Sequence, residues 1–176
     1  SPFVDSDDVT VTVEDRVAVL KQRMALLEKL TEEIIKLIRE QQAVRGQAVA
    51  LSPDHRDEGE VDAEPADFTT GAEAVKAGQY RFTNNLLRLA VGKVIEFDAS
   101  TRSYQESLKV LAYNEGRDAR ELAGQLAQMP DAEVAGDSIK RLVGLQDRVI
   151  YALQSMLGMI GRDLQRAVDE SDKIEG

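Results

Sequence analysis

Apolar residues recur in steps of three and four along the first part of the chain, a spacing typical of a helix with one buried face. The stripe consists of Val17, Leu20, Met24, Leu27, Ile34 and Ile38. It predicts a first helix that runs to about residue 49. At the usual rise per residue such a helix is roughly 55 Å long, so we expect it to need packing partners along its whole length.

The residues around this stripe indicate where the helix begins and where its seam is polar. Thr12 is a good N-cap, and Glu14 and Asp15 follow in the first turn, where the helix dipole favours negative charge. Thr31 and Gln41 interrupt the apolar seam further along. We therefore expect the helix to begin after Thr12.

Two further stretches have the same periodicity. Thr70 and Glu73 have the spacing of a capping box and predict the start of a second helix. The apolar positions that follow are Val75, Phe82, Leu86, Leu89, Ile95 or Phe97, Tyr104, Leu108, Leu111, Leu122, Leu126 and Met129. Only Asp98, Ser100 and Thr101 offer a break in this run, so they form either a tight turn or a polar patch on a continuous rod.

The last helix has a clear beginning. Pro130 ends the preceding helix because it lacks a backbone donor, and Asp131 is the N-cap of the next one, unless Gly136 delays the start to Asp137 or Ser138. Its stripe consists of Ile139, Leu142, Val149, Leu153, Met156, Ile160 and Leu164. The pattern then fades into a polar tail over residues 169–176.

Two all-α architectures follow from these patterns. If the chain turns at residues 98–101, it forms an up-down four-helix bundle of long amphipathic helices. If it does not, three helices remain, with a very long central helix that exposes apolar surface and self-associates. We favour the bundle, because four helices of similar length bury their stripes within one monomer.

An acidic segment separates the first two helices. Residues 52–67 contain seven acids and one base, together with Pro53, Gly59 and Pro65. This composition is typical of a connecting loop, and we expect the only histidine, His55, to be solvated there. The sequence thus predicts an extended arm over residues 1–11 and one helical-bundle domain over residues 12–176.

Composition narrows the chemistry. The chain has no cysteine and one histidine, which excludes thiolate metal sites, cysteine nucleophiles and centres with two imidazoles. It has no glycine-rich phosphate loop, no Gly-x-Ser-x-Gly motif, no EF-hand spacing and no Glu-x-x-His pair of the di-iron bundles. We therefore expect no enzyme activity, no cofactor and no metal. The net charge of −10 makes nucleic acid a poor partner.

Four basic residues are candidate contacts for a partner or ligand. Arg81, Arg88, Arg102 and Lys109 lie at multiples of seven, so on an unbroken helix they would share one face. The simpler interpretation is the solvated side of an amphipathic helix.

The helical spacing of six aromatic residues predicts that they lie in or beside the core: Tyr80, Phe82, Phe97, Tyr104, Tyr113 and Tyr151.

These features favour a non-enzymatic helical module for protein–protein interaction, such as an adaptor, chaperone or assembly component, with a protein partner or self-association. The alternative is a helical-bundle sensor or ligand-binding domain excised from a membrane receptor. Its basis is the start at Ser1 rather than methionine. No apolar run in the chain reaches the roughly 18 residues that would predict a membrane-spanning helix. The compartment stays open: cytoplasmic by default, extracytoplasmic in the alternative.

Overall fold

The computed structural model describes residues 12–55 and 67–176. The arm predicted for residues 1–11, the middle of the acidic loop and the side chain of His55 lie outside the described residues. Within them, the chain is an all-α bundle of four packed rods. The rods are α1 (Val13–Ala50), α2 (Phe68–Ala90), the pair α3 (Arg102–Leu111) and α4 (Arg117–Leu126), and α5 (Ala132–Glu175).

The first helix begins as expected. Thr12 Oγ1 accepts a hydrogen bond from the Asp15 backbone N–H at 3.1 Å, and Asp15 Oδ2 accepts one from the Thr12 N–H at 3.3 Å. This reciprocal pair is a capping box, which satisfies two amide groups that the helix itself leaves without partners. The predicted start is confirmed, and the helix ends at Ala50, one residue beyond the predicted end.

The second helix starts earlier than predicted. Its N-cap is Asp67, whose Oδ1 accepts from the Thr69 backbone N–H at 3.2 Å. Thr70 lies inside the first turn, where its hydroxyl donates to Asp67 Oδ2 at 3.2 Å, so the prediction of Thr70 as the cap is wrong. Asp67 replaces it because it offers a carboxylate acceptor three residues earlier in the chain.

The chain turns between α2 and α3, which rules out the long central helix. The connection begins before the predicted break, at Val91, and the φ of Gly92, which follows, is 78° and lies in the left-handed region. It ends in a polar turn in which Asp98 Oδ1 accepts from the backbone N–H groups of Ser100 and Thr101, at 2.9 and 3.2 Å. The Ser100 hydroxyl also donates to Asp98 Oδ1, and this hydrogen bond is the largest of the effects that hold the pKa of Asp98 below its usual value.

The last helix begins where Asp131 predicts. Asp131 Oδ1 accepts from the Val134 backbone N–H at 2.9 Å. The delayed start at Gly136 is wrong, because the Asp131 cap already satisfies the first turn and Gly136 continues the helix. The predicted polar tail is also helical, as far as Glu175. At 44 residues, α5 is about 66 Å long.

Neighbouring rods run in opposite directions. Ion pairs mark the antiparallel course of α1 and α5: Lys21 with Glu175, Arg45 with Asp147, and, just after α1, Asp54 with Lys140. The apolar core forms two clusters, one around Phe82, Leu108 and Leu153 and the other around Val75, Leu122 and Leu142.

The aromatic residues divide between core and surface. Phe82 and Tyr104 are buried and Phe97 is half-buried, as predicted. Tyr80, Tyr113 and Tyr151 are 37%, 52% and 73% exposed, so of the six aromatic residues predicted to lie in or beside the core these three do not lie in it. Tyr151, for example, lies between the buried residues Val149 and Leu153, and two steps of about 100° along the helix turn its side chain outward.

Candidate functional site

A layer of glutamine side chains crosses the core between the two apolar clusters. Gln41 of α1, Gln79 of α2 and Gln146 of α5 each occupy a seam position of their helix and are wholly buried. Gln41 Nε2 donates to Gln79 Oε1 at 2.9 Å, and Gln79 Nε2 donates to Gln41 Oε1 at 3.0 Å. Gln146 Nε2 donates to the same Gln79 Oε1 at 3.0 Å. The layer therefore ties three rods together through neutral hydrogen bonds.

The layer extends to the fourth rod through a threonine. Gln79 Nε2 also donates to Thr83 Oγ1 at 3.5 Å, and the Thr83 hydroxyl donates to the carbonyl of Gly116 at 3.3 Å. Gly116 is the last residue of a π-helical segment, Ala112–Gly116, that joins α3 to α4. A Cβ on Gly116 would meet the Leu111 carbonyl oxygen at 3.1 Å, closer than an ordinary van der Waals contact, so a side chain there would require a shift of a few tenths of an ångström.

The π-helical segment also changes which residues face the core. Continued from Leu111 in steps of four and three, an uninterrupted α-helix would bring Glu115 and Asp118 into the seam. The extra residue of the π turn brings Gly116 and Ala119 there instead, and both are buried. Glu115 is half-buried and Asp118 exposed. The segment thus keeps two carboxylates out of an apolar core.

The predicted basic residues do not share a helix. Arg81 and Arg88 lie on α2, whereas Arg102 and Lys109 lie on α3, beyond the connection that contains Gly92. The single stripe required an unbroken helix, which the structure does not contain. Lys109 pairs with Glu106 on its own helix, at 3.6 Å.

Two of these arginines line grooves between rods. Arg81 lies in a groove of about 330 Å³ between α2 and α4, beside Tyr80 and Arg120. The Arg120 guanidinium lies 4.5 Å from the centre of the Tyr80 ring, within the range of a cation–π interaction. Arg88 lies in a groove of about 320 Å³ between α1 and α2, with Glu33 and Glu40 among the lining residues.

A larger groove of about 550 Å³ separates α4 from α5. Asp118 and Glu121 line one side, and Arg141 and Arg148 line the other. Arg141 and Arg148 are not among the basic residues predicted from the sequence, although their spacing of seven residues on the last helix places them on one face.

Helices α1 and α5 continue past the end of the apolar core and form what we call the tip, residues 13–26 and 165–175. The core cluster reaches Leu27 on α1 and Ile160 on α5. A groove of about 350 Å³ at the tip is lined by Val13, Glu14, Val17, Ala18, Lys21 and Glu175. The apolar lining residues Val13, Val17 and Ala18 belong to α1, and Glu175 is the lining residue from α5, so two helices rather than four form this groove.

In the described part of the chain, no group of three or more acidic or histidine side chains is placed to hold a metal ion. Likewise, none of the described helices combines the length and the apolar character needed to cross a membrane. Comparison with known proteins found no match to this chain among protein-family models, curated proteins or solved structures.

Proposed function

We propose that this protein is a non-enzymatic helical interaction module that binds a helical partner protein along the tip. The observation that carries the proposal is the incomplete burial of the tip's apolar side chains. Val13 is 56% exposed, and Val17 and Met24 are half-buried, although all three continue the seam that is buried farther along α1.

The position of α3 explains why the tip is incompletely covered. Tyr104, in the first turn of α3, donates a hydrogen bond to Asp163 on α5. This contact marks the level at which the third rod begins, and α5 continues to Glu175. Beyond that level α1 and α5 pack on each other, burying Leu20 and Ala167, but two helices cannot enclose a seam as four do.

The chemistry of the tip suits an amphipathic helix. Such a helix lays apolar side chains at helical spacing into a groove and keeps its charged side chains at the rim. The groove at the tip offers apolar walls from Val13, Val17 and Ala18, with Lys21 and Glu175 at its edge. A partner helix would complete the seam by covering these residues.

The proposal is tested with two matched substitutions. Val13→Glu introduces a charge at the tip, and Val134→Glu does the same at the start of α5, a site 61% exposed. Both positions lie in the first turn of a helix, so the helix dipole has a similar effect on the two introduced carboxylates. A photo-crosslinker at Val17, in extract from the native cells, should give discrete protein adducts.

We expect these adducts to be lost in Val13→Glu and retained in Val134→Glu. Adducts that survive Val13→Glu, or a crosslinker at Val17 that yields none above the level obtained at Val134, would refute the proposal. Circular dichroism of both variants controls for folding.

A second candidate function is a ligand-binding domain of a receptor. Lys21 Nζ lies 3.9 Å from Glu175 Oε1, so segments continuing from α1 and from α5 would leave the bundle at the same end. The groove at Arg81 and Arg120 would then suit a small carboxylate. A thermal-shift panel of mono- and dicarboxylates should show stabilisation that Arg81→Ala abolishes. No shift with any of them would eliminate this candidate.

A further inference from the structure

The carbonyl oxygen of the Gln146 side chain is the one buried side-chain polar atom in residues 12–55 and 67–176 that has no hydrogen-bond partner. Gln146 itself is 0% exposed. A buried carbonyl without a donor is costly, and native proteins satisfy such groups with protein donors or with ordered water. The missing donor calls for an explanation.

The donor hydrogens of Gln79 and Thr83 are already used within the layer. Gln79 Nε2 carries two hydrogens and donates both, to Gln41 and to Thr83. The Thr83 hydroxyl donates its only hydrogen to the Gly116 carbonyl. Rotating the Gln146 amide by 180° would place its oxygen against Gln79 Oε1, which is also an acceptor, and would remove the hydrogen bond between them. The favourable orientation of the Gln146 amide is therefore the one in which its nitrogen faces Gln79 Oε1.

The same layer has hydrogens to spare. The side-chain nitrogens of Gln41 and Gln146 each carry two hydrogens, and each donates one hydrogen bond among the described residues. The layer thus presents one unused acceptor and two unused donor hydrogens within a neutral, buried environment. A water molecule, which can both donate and accept, matches this set and requires two to four polar partners.

We propose that the glutamine layer is the binding site of one internal water molecule, which donates a hydrogen bond to Gln146 Oε1. Its oxygen accepts from one of the remaining amide hydrogens. With this water, the Gln146 carbonyl gains a donor, and the polar groups of α1, α2 and α5 form one connected network between the two apolar clusters. The inference is independent of the proposed interaction surface at the tip.

The test uses water-selective NMR on the full chain with 15N-labelled glutamine. The three side-chain amides are assigned by the loss of signals in single Gln→Met variants. We expect cross-peaks between water and the layer's amide hydrogens that have opposite signs in NOE and ROE spectra, as for a long-lived bound water. Gln146→Met should abolish them, whereas Gln154→Met, at an exposed position of α5, should leave them unchanged.

Absence of these cross-peaks in the wild-type protein would overturn the proposal. So would a crystal structure at about 1.5 Å in which a protein donor occupies the position facing Gln146 Oε1. If Gln146→Met does not fold, the wild-type spectra and the crystal structure still decide the question.

Discussion

Gln41 and Gln79 form a reciprocal amide pair across the interface of α1 and α2: each side-chain nitrogen donates to the other's oxygen. The pair is wholly buried, and the residues are 38 positions apart in the chain. Gln79 is the centre of the layer, because it also accepts from Gln146 and donates to Thr83. Its replacement therefore affects more partners than the replacement of Gln41.

We expect Gln79→Leu to lower the free energy of unfolding more than Gln41→Leu. Gln79→Leu leaves the buried amides of Gln41 and Gln146 without a partner, and each unsatisfied group costs about 1–3 kcal/mol. Gln41→Leu leaves the hydrogen bond between Gln79 and Gln146 in place. Replacing all three glutamines by leucine should restore stability to the wild-type level or above, because no amide is then unpaired. Urea unfolding measures the free energy of unfolding of the wild type, the two single variants and the triple variant. A triple variant less stable than Gln79→Leu would contradict this account.

The π-helical segment predicts that one deletion in the third rod is tolerated. Removing Tyr113, which is exposed, leaves Gly116 and Ala119 four and seven positions after Leu111, which is the spacing of an uninterrupted α-helical seam. We expect the free energy of unfolding of the Tyr113 deletion variant to stay within about 1 kcal/mol of the wild-type value, because the same side chains remain in the core.

Deletion of Arg120 is the matched control, since that residue is also exposed but lies in regular α-helix. It rotates Leu122 and Leu126 away from the core, so we expect a loss of at least about 3 kcal/mol. Thermal unfolding followed by circular dichroism distinguishes the two. Equal losses would show that the segment does not set the register.

The contact between Tyr104 and Asp163 predicts a loss of stability at alkaline pH. Burial, followed by the hydrogen bond to the Asp163 carboxylate, raises the pKa of Tyr104 well above 10. A pKa raised on folding adds stability that is fully present below the unfolded value of about 10 and is lost as pH rises through the folded value. Urea unfolding from pH 8 to 11 should therefore show a decline.

Tyr104→Phe isolates this contribution. At pH 8 it should lower the free energy of unfolding by about 1.5–3 kcal/mol, the usual range for a hydrogen bond to a charged group, and it should flatten the decline above pH 10. Tyr151→Phe, at a site 73% exposed, should change neither quantity. A Tyr104→Phe variant with the wild-type pH profile would refute the assignment.

Two glycines should respond to alanine with opposite signs. Gly92 has a φ of 78°, which alanine adopts only at a cost of about 1–2 kcal/mol, although its nearest neighbour, the Ile95 carbonyl oxygen, leaves 3.6 Å for a Cβ. Gly144 lies inside α5 with nothing within 4 Å of a Cβ, so alanine there should stabilise by about 0.5–1 kcal/mol. Differential scanning calorimetry measures the stability of both alanine variants. A stabilised Gly92→Ala would show that this residue does not require the left-handed conformation.

The sequence by itself determined the helices and most of their ends. The stripes of α1 and α5 and the caps Thr12 and Asp131 are local signals: a side chain three or four residues away supplies the partner, so spacing alone reveals it. The sequence favoured the four-rod bundle over a long central helix, and the structure confirmed it through the turn formed by Asp98, Ser100 and Thr101.

Only the tertiary structure decided the features that depend on residues distant in the chain. Gln41 appeared in the sequence as an interruption of the seam, and its role as half of an amide pair depends on Gln79 from another rod. The π turn exists because α-helical continuation from Leu111 would bury Glu115 and Asp118, an energetic conflict that periodicity does not resolve. Arg81 and Arg102 lie on different rods because the chain turns at Gly92. The course of the chain there depends on packing as well as on local propensity.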